Sequence, residues 1–60
     1  MISKKRQYKI TQRDLRGKFV RAIYLKAEDI PTALAIFAHE CCQLSVGLLE
    51  RDYRIAIEAQ

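Results

Sequence analysis

Sixty residues make at most one domain, and a chain that is half apolar is not generally disordered. The two cysteines are neighbours, Cys41 and Cys42, which excludes a disulfide framework and points to a reducing, cytoplasmic compartment. The net charge of +4 hides a split. Lys4, Lys5, Arg6, Lys9, Arg13, Arg16, Lys18, Arg21 and Lys26 against Asp14 give +8. From Ala27 onward, Arg51 and Arg54 against Glu28, Asp29, Glu40, Glu50, Asp52 and Glu58 give −4. A basic half of this kind suits a polyanionic partner. A lone domain of this size buries only about 60% of its unfolded surface, so self-association is expected.

In chain order, residues 7–11 alternate polar and apolar with period two, the pattern of a strand. Gln7, Lys9 and Thr11 take one face; Tyr8 and Ile10 take the other. With the basic arm before it, the strand is placed at 3–11. "TQRD", 11–14, has the form of a capping box between Thr11 and Asp14, which predicts a helix over 12–28. On that helix Leu15, Phe19, Ala22 and Ile23 share a face, while Arg13, Gly17, Lys18 and Arg21 fall mainly opposite. Gly17 counts against it, at up to about 1 kcal/mol in a helix interior.

"EDIP" ends the first helix, because the residue before a proline resists helical angles. Pro31 is suited to the first turn of a second helix, predicted over 31–49, with Leu34, Phe37, Ala38, Cys41, Leu48 and Leu49 on its apolar face. Residues 30–49 are long enough to tempt a membrane assignment. An acid at mid-bilayer costs at least roughly 2.5–3.5 kcal/mol, and Glu40 sits near the centre with His39 and Gln43. Neither a span nor a signal peptide is expected. The extension 50–60 fits strand alternation (Tyr53, Ile55, Ile57) and helical i,i+4 charge pairs equally well.

The order strand, helix, turn, helix over residues 4–49 resembles the ribbon-helix-helix family of DNA-binding repressors and antitoxins, also called the Arc/MetJ/CopG type. "RQYKIT" carries the strand, "RDLRGKFVRA" the first helix and "DIPTALAIFAHE" the second. The resemblance implies a mostly α, intertwined homodimer whose paired strands enter the major groove of double-stranded DNA. It implies base reading by Gln7, Lys9 and Thr11, with Lys4, Lys5, Arg6 and Arg13 on phosphates. It implies a dimer core of Tyr8, Ile10, Leu15, Phe19, Leu34 and Phe37, and a protein partner for residues 50–60 where the protein is an antitoxin. Groove chemistry agrees: Lys donates to guanine, Gln pairs with adenine, and Thr offers a hydroxyl and a methyl. Glu28 and Asp29 stand where the family clamps a phosphate, which weakens that contact.

The alternative takes the β-forming residues of "KFVRAIYLK", 18–26, at face value. Gly17 then ends a turn, 31–49 is a helix and 53–58 a returning strand. That gives a small α+β domain of order β-β-α-β, acting as a protein–protein interaction module or a subunit of a larger assembly. His39, Cys41 and Cys42 lack the ligand number and common direction of a structural zinc site, so no metal is expected. No phosphate-binding glycine loop or oriented nucleophile is present, so neither cofactor nor enzyme activity is expected.

Overall fold

The structure, a computed structural model, describes residues 5–60. Three strands and two short helices follow in order: β1 (Arg6–Asp14), β2 (Phe19–Ala27), α1 (Ile30–Phe37) with a π-helical continuation (Ala38–Cys42), α2 (Val46–Asp52) and β3 (Tyr53–Ala59). The strands form one antiparallel sheet of order β2-β1-β3, with the helices on one face. The chain is a small α+β domain, not a mostly α one; its three strands follow in the order of the alternative reading, with two helices in place of that reading's one.

The expected helix 12–28 is instead the second half of β1, a turn and all of β2. The residues of the expected capping box do other work. Thr11 lies inside β1, and the Asp14 carboxylate accepts from the backbone N–H of Arg16 and of Lys18, each at 2.9 Å. Gly17 N–H donates to the Asp14 carbonyl at 2.9 Å, and Gly17 sits at φ 88°, a region that a side chain makes costly. Once Gly17 reverses the chain, Phe19, Ile23 and Tyr24 enter a pairing that suits branched and aromatic side chains better than a helix does.

β1 is the central strand. It pairs with β2 through Tyr8↔Leu25, Ile10↔Ile23 and Gln12↔Arg21, and with β3 through Lys9↔Glu58, Thr11↔Ala56 and Arg13↔Arg54. Both its edges are filled within one chain. It therefore cannot zip against a copy of itself, and the intertwined ribbon dimer is overturned.

Asp29 caps α1 by accepting from Thr32 N–H at 2.9 Å, and Pro31 occupies the first turn, where its missing N–H costs nothing. The single helix expected over 31–49 is broken. Gln43 adopts a left-handed conformation at φ 54°, and its N–H closes on the Ala38 carbonyl. Ser45 then caps α2 through Leu48 N–H at 3.3 Å. The helical segments 30–42 and 46–52 meet at 78°, and no single helix among the described residues is long and apolar enough to cross a membrane. The ambiguous extension is strand β3, started where the Tyr53 N–H ends α2 on the Leu49 carbonyl.

The core lies between the helices and the even-numbered positions of β1. Tyr8, Ile10, Ala27, Ala33, Phe37, Ala38 and Leu49 are buried. Each large apolar side chain among them contributes roughly 1.5–3 kcal/mol. Gln12 is also buried, at 2% exposure, and its Oε1 accepts from the Cys42 thiol at 3.4 Å. Beside it the Arg21 guanidinium donates to the Cys41 carbonyl at 2.8 Å. These two contacts tie the end of the π-helical segment to the sheet. Of the expected dimer core, Tyr8, Ile10 and Phe37 are buried inside the single chain and Leu34 is half-buried there. Leu15 is 57% exposed at the hairpin turn and Phe19 is 54% exposed on the sheet; neither belongs to the core.

Candidate nucleic-acid interface

Among the described residues, only one face of the sheet carries helices. The other presents the odd-numbered side chains of β1 and the residues paired with them, because side chains alternate across a strand. The register arranges this open face in four cross-strand rows: Lys26–Gln7–Gln60, Tyr24–Lys9–Glu58, Ala22–Thr11–Ala56 and Phe19–Arg13–Arg54.

Phe19 reaches this face through a register shift. The pairing slips between Gln12 and Arg13, so Gln12 opposes Arg21 while Arg13 opposes Phe19, and Val20 is the extra residue. Strict alternation from Ile23 and Leu25 would have sent Phe19 to the helix side. The Arg13 guanidinium lies over the Phe19 ring, 5.9 Å from its centroid, and donates to the Gly17 carbonyl at 3.2 Å.

The rows differ in height. Ala22, Thr11 and Ala56 form a low floor between two walls of longer side chains. Arg13 lies four residue steps beyond Lys9 along β1, so the walls stand about 13 Å apart. One wall ends in Tyr24, 58% exposed, and the other in Phe19. Among the described residues, Lys9, Arg13, Lys26 and Arg54 against Glu58 give the face a charge of +3. The result is a shallow trough running across the strands, with an aromatic ring at the β2 end of each wall, Lys9 and Glu58 along one wall and Arg13 and Arg54 along the other.

The expected base-reading residues Gln7, Lys9 and Thr11 do share this face, with Gln7 exposed and Lys9 and Thr11 half-buried in the central strand. Of the expected phosphate residues, Arg13 is on it. Lys5 and Arg6 are exposed at the start of β1, and Arg6 pairs with Ala27 on the helix side. Lys4 lies outside the described residues. Tyr24, Lys26 and Arg54 were missed, because two of them were placed in a helix and the third in an unassigned tail. The alternation of 18–26 as a strand was the signal for Tyr24, but nothing in sequence announced the bulge that brings Phe19 beside Arg13.

Elsewhere, Cys41 and Cys42 are free thiols, half-buried under the sheet. Among the described residues no three His, Cys, Asp or Glu side chains converge as metal ligands would. The fold and this face define a two-layer α+β domain with a cationic, aromatic open sheet. No protein-family model, curated protein or solved structure matches the chain.

Proposed function

We propose that the open sheet face binds nucleic acid, with a single strand lying in the trough. The observation that carries this reading is the pair of exposed rings, Tyr24 and Phe19, on a face with four cations and a floor of small side chains. Bases stack on exposed aromatic rings whatever their identity, and each stack is worth about 1–3 kcal/mol. Lys9, Arg13 and Arg54 stand along the trough where phosphates would pass, and Lys26 adds a cation just beyond the Tyr24 wall. The Thr11 hydroxyl and the Gln7 amide supply hydrogen bonds to base edges. The two free thiols suit a reducing, cytoplasmic setting.

Double-stranded DNA is the second reading, and with it a repressor or antitoxin role. Gln7, Lys9 and Thr11 project together from one strand, as side chains that read a major groove must. A sheet face that docks another protein would use the rings without the cations, and its affinity would change little with salt.

Fluorescence anisotropy with a labelled mixed-sequence single strand and the matching duplex, at several salt concentrations, separates these readings. If all four cations contact phosphates, the single-strand slope of log K against log salt is about −3, from roughly −0.7 per contact. Tighter binding to the duplex moves the assignment to the second reading. No binding to either at low salt refutes both.

A further inference from the structure

We infer that a second copy of this chain docks on the free edge of β3, antiparallel, about a two-fold axis midway between the two copies of Ala56, extending the sheet to six strands. β3 is an outer strand, and its sequence "YRIAIEA" is complementary to itself in one register. With Ala56 opposite the partner's Ala56, Ile55 meets the partner's Ile57 and Arg54 meets the partner's Glu58. Each cation then faces a carboxylate, twice by symmetry.

The backbone has the parity that this register needs. Gln60 N–H donates to the Gln7 carbonyl at 2.8 Å, so the even-numbered residues of β3 turn their backbone groups toward β1. Ile55, Ile57 and Ala59 turn theirs outward. Ile55 and the partner's Ile57 therefore form a pair that exchanges both backbone bonds. Tyr53 contributes only its carbonyl, because its N–H is spent on Leu49.

Side chains agree with the backbone. A groove of about 360 Å³ runs beside β3, lined by Leu34, Glu50, Tyr53, Arg54, Ile55 and Ile57. The partner's isoleucines would enter its apolar part from the added strand. The opposite edge is unsuited to the same use. β2 carries Arg21 and Lys26 with no acid, and it is bulged at Val20, so self-pairing there would bring cations together along an irregular edge.

The inference stands on β3 alone, but it extends the function proposed above. The axis between the two copies of Ala56 aligns the floor Ala22–Thr11–Ala56 with its copy, so one trough crosses all six strands. Glu58, the single acid among the described residues of the open face, is then matched by the partner's Arg54.

Sedimentation equilibrium without nucleic acid tests this. The expected mass is about 14 kDa, twice 7.0 kDa. Glu58→Arg and Arg54→Glu should each weaken the dimer by about tenfold or more, and the two together should restore it, because the reversed charges pair again. Both side chains are exposed, and circular dichroism checks that each variant keeps its fold. A monomer at hundreds of micromolar, a dimer indifferent to either reversal, or a double reversal that fails to restore it overturns the inference. A monomer that binds nucleic acid refutes the dimer alone; a dimer that ignores nucleic acid refutes the binding proposal alone.

Discussion

Tyr24→Ala separates stacking from charge on the open face. The ring is 58% exposed and buries little within the chain, so its loss costs mainly strand propensity, under about 1 kcal/mol. Its partner Lys9, the Ile10↔Ile23 pair and the core beneath are untouched. One lost base stack is worth about 1–3 kcal/mol, which at about 1.4 kcal/mol per tenfold is a 5- to 150-fold loss of affinity for a single strand. The salt slope should not move, because no cation is removed. Lys9→Ala should do the reverse and flatten the slope by about 0.7 with a smaller loss at low salt. The assay is anisotropy at three or more salt concentrations, with thermal unfolding of each variant as the control. If Tyr24→Ala binds within twofold of the parent, or if it changes the slope as Lys9→Ala does, the stacking argument fails.

Three further outcomes test the fold. Ile10 is fully buried on the central strand, so Ile10→Ala should cost about 2–5 kcal/mol in urea or thermal unfolding; a loss below 1 kcal/mol would place β1 elsewhere. Gly17→Ala meets no atom within 4 Å, so its cost is purely that of φ 88°, about 1–2 kcal/mol or roughly 4–16 °C in Tm; an unchanged Tm would mean a different turn. The hydrogen bonds from the Thr32 side chain and backbone hold the exposed Asp29 carboxyl below its ordinary 3.8, against a slight opposing effect of burial. A depressed carboxyl stabilises the fold fully above its unfolded pKa, and loses that contribution as pH falls through the folded one. Asp29→Ala should therefore lower Tm at pH 7 and leave a smaller difference near pH 2, and a gap that widens on acidification would contradict the cap.

Period-two alternation made the inward turn of Tyr8 and Ile10 readable in sequence, because a strand with one buried face must alternate. Asp29 and Pro31 marked the start of α1 for reasons of backbone geometry. The passage 12–28 was harder, because Leu15, Phe19, Ala22 and Ile23 fit a helical face as well as a hairpin, and Thr11 with Asp14 imitates a cap. Gly17 decides between them, through a left-handed angle that no helix interior uses. The break at Gln43 was hidden because a glutamine gives no sign of a left-handed turn, unlike a glycine. The site divides the same way. Gln7, Lys9 and Thr11 followed from alternation within one strand. Tyr24, Lys26 and Arg54 required the pairing of strands distant in sequence, and Phe19 required a one-residue slip in that pairing.

The central claim is that ligand lies across the open face between Tyr24 and Phe19. Amide chemical-shift mapping on addition of a short single-stranded oligonucleotide tests it most directly. Perturbation should concentrate at Lys9, Thr11, Arg13, Ala22, Tyr24 and Ala56 and leave Ala33, Phe37 and Leu49 unmoved. Shifts confined to the helices or to the turn at 15–18, with the sheet silent, would contradict the account.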